Sequence, residues 1–102
     1  MSNETKVRAT GNDSRADREI KVLNQYGIHA RPAALLVKTA QKFQADITIE
    51  KGDMKVSGKS IMGLMTLEAG CGASVKVIAE GVDAEQALEA IQKLFDQKFF
   101  EE

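Results

Sequence analysis

Histidine occurs once in this chain, as His29, and Arg31 stands two positions after it. A free imidazole titrates near neutrality, and its neutral form is a nucleophile that can take up an electrophilic group and release it again. A guanidinium two residues away can reach the oxygens of an anionic group on that ring and stabilise the charge that develops during transfer. Both residues lie in Gly27-Ile28-His29-Ala30-Arg31-Pro32-Ala33, just where a helical period begins. The first amides of a helix have no intrahelical acceptor, and the positive end of the dipole favours an anion there. A phosphoryl group suits such a site. The plainer reading of a lone histidine at this position is a helix cap, with Arg31 as a solvated surface residue.

Several elements must hold that segment in place. Ile20 and Val22 alternate with Glu19 and Lys21, which predicts a half-buried strand over Glu19–Leu23, closed by Gln25, Tyr26 and Gly27. Ala33, Leu36, Ala40 and Phe43 recur at spacings of three and four, so Ala30–Phe43 is read as an amphipathic helix with Pro32 in its tolerant first turn. Ile47 and Ile49 mark a second strand, Lys51-Gly52-Asp53 a turn, and Met54 to Ser57 a short return strand with Met54 and Val56 facing alike. Ser60 can cap a short apolar helix containing Ile61, Met62, Leu64, Met65 and Leu67. Val75, Val77 and Ala79 share one face of a fourth strand. Asp83 with Gln86 resembles a capping box opening a last helix, whose period runs through Leu88, Ile91, Leu94 and Phe95. The order strand, helix, strand, strand, helix, strand, helix predicts an α+β fold, an antiparallel sheet with one face beneath the helices and the other toward water.

Residues 1–16 are polar and lack an apolar period, so they are read as a flexible extension ahead of a single domain over 17–102. A formal charge of -1 gives no global electrostatic reason to bind nucleic acid or an anionic membrane. Cys71 is the only cysteine, which excludes an intrachain disulfide and the paired cysteines of a zinc site, and it is read as a loop residue. No metal or other cofactor is expected. No apolar run approaches the roughly 20 residues of a membrane span, and the N-terminus carries no signal-peptide hydrophobic region, so a cytoplasmic protein is expected. One histidine with no paired nucleophile or metal cluster is poor equipment for a hydrolase. Glycine spacing gives no phosphate loop.

Two segments together carry a resemblance. Gly27 to Ala33 resembles the active-site signature of the HPr family, the histidine-containing phosphocarriers of bacterial phosphotransferase systems. Lys59-Ser60-Ile61-Met62-Gly63-Leu64-Met65 is similar to that family's regulatory serine segment, and Ser60 follows His29 by 31 residues. The resemblance extends over about Asp17–Phe99 and implies a four-stranded antiparallel sheet covered on one face by three helices, in the order βαββαβα. It also implies that His29 is phosphorylated on Nδ1 by enzyme I, with phosphoenolpyruvate as ultimate donor, and passes the group to enzyme IIA domains for sugar uptake. Arg31 would be the phosphoryl partner. Ser60 would be modified by the ATP-dependent HPr kinase/phosphorylase, although an N-cap serine needs no kinase to explain it.

The short helix is apolar nearly all round, more than one buried face requires, so part of it is expected to remain exposed for docking. Flexible methionines suit partners of different shape. The family resemblance places this patch, with Ile61, Met62, Gly63, Met65 and Thr66, beside His29, where Ala34, Lys38 and Gln41 of the first helix would complete it, Lys38 attracting acidic partners. The chain is expected to act as a monomer. Two alternatives stay open: a carrier of the nitrogen-related branch, whose output is regulation, or a binding module that serves mainly as a Ser60-phosphorylated partner of a transcription regulator.

Overall fold

The computed structural model describes residues 14–101. Four strands form one antiparallel sheet: β1 (Arg15–Lys21), β2 (Asp46–Lys51), β3 (Met54–Ser57) and β4 (Ser74–Glu80), in the spatial order β1-β4-β2-β3. The alternation read in the sequence sets the register. Ile20 lies opposite Val75, and Ile49 opposite Val77, so the apolar side chains share the face that the helices cover. On the other face Lys76, Asp46 and Lys55 are exposed, while Ile78 is buried despite pointing away from the helices.

Three α-helices complete the core: α1 (Ala30–Ala40), α2 (Ile61–Thr66) and α3 (Ala84–Asp96). Helix α1 buries Ala33, Leu36, Val37 and Ala40, and α3 buries Ala87, Leu88, Ile91, Leu94 and Phe95. Each large apolar side chain removed from water contributes about 1.5–3 kcal/mol, which fixes these two helices firmly on the sheet.

Three boundaries and one cap differ from the sequence reading. β1 begins at Arg15, not Glu19, because pairing with β4 runs as far as Arg15 opposite Glu80. The expected extension over 1–16 falls almost wholly outside the described residues, and its last two positions, Arg15 and Ala16, belong to β1. Helix α1 ends at Ala40, after which Gln41–Phe43 turn away, with Phe43 N–H donating to the Ala40 carbonyl. The capping box does not form. Asp83 occupies the N-cap of α3 without a side-chain bond into that helix, and its carboxylate instead accepts the N–H groups of Gln44 and Ala45 at 2.9 and 2.8 Å. Two loop amides with no ladder partner compete successfully for the oxygens. The Gln44 amide, foremost among these contacts, holds the Asp83 carboxyl below the usual carboxylate range.

After α3 the chain makes one further turn, Lys98–Phe100, whose residues have φ of 54, 55 and 60°. Left-handed geometry at a non-glycine residue costs roughly 1–2 kcal/mol. Phe99 offsets part of this, since it is fully buried against Phe95 with ring centroids 4.9 Å apart. The turn sends Glu101 back toward the start of α1.

Candidate functional site

His29 is the N-cap of α1 and has extended backbone angles. Its carbonyl accepts the first helical bond, from the Ala33 N–H at 2.8 Å, which leaves the Ala30 and Arg31 amides without intrahelical acceptors. Pro32 occupies the next position, where the N–H it lacks has no role to fill. No acidic residue stands in the first turn of α1 to neutralise its positive end. An anion at this terminus therefore meets two free backbone donors, the aligned helix dipole and the exposed Arg31.

Gly27 determines where this segment sits. Its φ is 71°, and a Cβ there would stand 2.2 Å from the Ala69 carbonyl oxygen, so only glycine fits. The next residue, Ile28, donates its N–H to that same carbonyl at 2.9 Å and buries its side chain. Histidine is thereby held against the loop that follows α2. Its side chain is 42% exposed, enough for a protein partner to reach the ring.

The ring has two further neighbours. Tyr26 lies edge-on to it at a centroid distance of 6.3 Å and is itself largely exposed. Nε2 is 3.1 Å from Glu101 Oε2, and Glu101 Oε1 accepts a bond from Asn24 Nδ2 at 3.0 Å. Among the described residues this is the hydrogen bond made by the imidazole, and it falls on the nitrogen remote from the expected phosphoryl position.

Ser60 is the N-cap of α2, its Oγ accepting the Gly63 N–H at 3.0 Å. Gly63 is also confined, because a Cβ would meet Val56 at 3.3 Å. Leu64 and Leu67 point inward and are buried, whereas Ile61, Met62 and Met65 remain exposed, Met62 at 79%. Thr66 is exposed beside them and turns its hydroxyl back to the Gly63 carbonyl. At the other end of α2, Lys51 Nζ donates to the Leu67 carbonyl at 3.1 Å, placing a cation where the dipole favours one. Ala34, Lys38 and Gln41 are exposed along α1, which packs against α2. His29, Tyr26 and Met65 line one shallow cleft of about 280 Å³ with Glu68 and Gly70, so the exposed methionine surface reaches the histidine.

The sequence reading missed both further neighbours of the ring and the residue behind one of them. Tyr26 was legible only as a turn residue, Asn24 as a polar position between strand and turn, and Glu101 had no local signal at 72 residues from His29. Cys71 is an exposed free thiol in a loop, as expected. The described residues contain no group of histidine, cysteine and carboxylate side chains able to hold a metal, and no helix long and apolar enough to cross a membrane.

Comparison with known proteins places this geometry among relatives. The family model described as "PTS HPr component phosphorylation site" matches residues 16–97. Phosphocarrier protein HPr of Treponema pallidum (strain Nichols) is 47% identical over 83 residues, covering 81% of this chain and 94% of that protein. Phosphocarrier protein NPr of Shewanella violacea is 41% identical over 88 residues, covering 86% and 97%. Among solved structures, HPr from Thermoanaerobacter tengcongensis superposes with a TM-score of 0.82 at 48% identity, covering 85% of this chain and 98% of that one.

Proposed function

The chain belongs to the HPr family of phosphocarriers, and from that premise we propose that it accepts a phosphoryl group on His29 from enzyme I and passes it to enzyme IIA domains for sugar uptake. The observation that carries this reading is the half-exposed imidazole at the N-cap of an eleven-residue helix with two free amides and Arg31 behind it. The donor's bond to phosphorus breaks as the Nδ1 lone pair forms a P–N bond. The helix amides and the Arg31 guanidinium take the charge that spreads over the phosphoryl oxygens. On delivery the P–N electrons return to Nδ1. Because the same exposed surface of α2 and α1 would meet donor and acceptors, the carrier must leave each partner readily, which favours a small, adaptable interface. A cytoplasmic monomer suits this traffic.

Ser60 gives the reading a control point. A phosphate on its Oγ would add about -1.5 to -2 charge at the edge of the docking surface. It would displace the bond to the Gly63 amide and place an anion between Ile61, Met62 and any acidic partner. HPr kinase/phosphorylase is the enzyme this segment suits, and a transcription regulator could read the modified form.

A carrier of the nitrogen branch is the second reading, favoured by the 41% identity to an NPr. Onward transfer separates the two. Phosphorylated protein presented in parallel to a sugar-type and a nitrogen-type IIA domain should discharge faster to the sugar type. Preferential discharge to the nitrogen type would replace the first reading with the second, and discharge to neither would remove both.

A further inference from the structure

The segment after α3 is shaped to bring a carboxylate to the back of the histidine ring. Three consecutive non-glycine residues, Lys98, Phe99 and Phe100, adopt left-handed angles, with buried Phe99 as their anchor. The outcome of this unfavourable backbone is that Glu101 is only 17% exposed and sits between His29 and Asn24. Asn24 is the buried polar residue beneath the site, 1% exposed. Its Nδ2 donates both to the Gly27 carbonyl at 2.7 Å and to Glu101 Oε1 at 3.0 Å, while its Oδ1 has no partner among the described residues. Two acceptors around Nδ2 settle the amide's orientation, since a flipped side chain would set oxygen against both.

We propose that Glu101 is a positioning residue for His29: its carboxylate holds the proton on Nε2, leaves the Nδ1 lone pair free as the nucleophile, and stabilises the ring once the phosphoryl group is attached. This deepens the reading of the chain as a phosphocarrier and rests on it. A carboxylate can only accept a hydrogen bond, so a neutral imidazole facing Glu101 through Nε2 must carry its proton there. Nδ1 is then unprotonated without any further base. When Nδ1 bonds to phosphorus the ring becomes a phosphoimidazolium, and the Nε2 proton stays where it was. The positive charge of that state faces Glu101 Oε2. On delivery the P–N electrons return to Nδ1 and the neutral ring again has its proton on Nε2, so no proton moves in either step. Asn24 supports this through the second carboxylate oxygen, and Gly27 ties Asn24 to the same loop as His29.

The two oxygens of Glu101 serve two donors, and this separates the variants. Glu101→Gln keeps the shape but has one acceptor oxygen and no charge; Glu101→Ala has neither; Glu101→Asp restores the charge on a shorter side chain. Steady-state phosphorylation by enzyme I and phosphoenolpyruvate should show kcat lowered roughly tenfold in Glu101→Gln and Glu101→Ala, with KM for the carrier changed less than twofold, and a partial return in Glu101→Asp. The ring nitrogens of unphosphorylated, 15N-labelled protein provide a second readout that needs no partner. In its neutral ring wild type should show a protonated Nε2 and an unprotonated Nδ1, and Glu101→Ala should show averaged signals from both tautomers. Backbone amide spectra that overlay outside residues 24–33 and 97–101 establish that the variants fold. Unchanged kcat together with unchanged ring-nitrogen signals in Glu101→Ala would overturn the proposal, as would a wild-type proton on Nδ1. If wild type itself took no phosphoryl group on His29, the phosphocarrier reading would fail, while the tautomer measurement would still report on Glu101.

Discussion

What His29 and Arg31 can do depends on where the backbone leaves them. An arginine two residues into α1 adds charge to a terminus whose amides already face outward, so Arg31→Ala should slow phosphoryl transfer by roughly tenfold to a hundredfold without unfolding the domain. Stopped-flow transfer alongside thermal melting checks both halves of that expectation. A loss of activity that tracks a loss of stability would mean that Arg31 is structural. Gly27 is the converse case, a residue with no chemistry that the site cannot spare. Gly27→Ala would drive a methyl group toward the Ala69 carbonyl at a left-handed position, and it should cost about 2–4 kcal/mol of stability, measurable by urea denaturation. At this scale the sequence was legible where cause and effect are neighbours: an N-cap histidine, an arginine two residues on, proline in the first turn. It was silent on Glu101 and Asn24. The approach of Glu101 to the ring depends on a left-handed turn built from lysine and two phenylalanines, residue types that carry no local signal for it, and the role of Asn24 follows from where Glu101 arrives.

Helix α2 is short, and its ends are fixed by side chains, Ser60 at one and Lys51 at the other. Two buried leucines suffice to seat it, which is why Ile61, Met62 and Met65 remain outside. The excess of apolar residues over what one face can bury was readable from the pattern, although which of them stayed exposed depended on the packing of α2 against β3 and α1. Met62→Glu should weaken binding to enzyme I and to IIA domains together, by roughly tenfold each, while leaving the melting temperature nearly unchanged, because the side chain lies on the surface. Titration calorimetry against each partner would reveal an effect confined to one of them, which would mean that the surface is not shared. Ser60→Asp should raise KM for enzyme I with little change in kcat, since it alters docking and leaves the ring untouched. The last helix shows how a local motif can mislead. Asp83 and Gln86 have the spacing of a capping box, but the α1–β2 loop supplies two amides that the sequence could not place beside Asp83. A carboxyl group held below its usual range favours the folded state above the ordinary aspartate pKa of about 3.9, and that contribution is lost as pH falls through the lowered value. The stability gap between wild type and Asp83→Ala should therefore be larger at pH 7 than at pH 3 in parallel denaturation curves. An equal gap at both would contradict the role given to the carboxylate.

As a whole the molecule divides its labour between two faces. The sheet carries charged residues outward and has no part in the site, while the covered side assembles the starts of α1 and α2, the loop after α2, and the turn after α3. The strand and helix order was legible because alternation and helical period persist along the chain, and because β2, β3 and β4 are bounded by turn residues. What could not be read was the closure that brings residues 24, 29 and 101 together, which is a product of packing across the full chain. The central claim is that phosphoryl transfer runs through a single imidazole, and mass spectrometry after incubation with enzyme I and phosphoenolpyruvate tests it most directly. Wild type should gain one phosphoryl group that maps to His29 and is lost on brief exposure to acid, and His29→Ala should gain none. An acid-stable product, a label mapped to another residue, or a label persisting on His29→Ala would contradict the account.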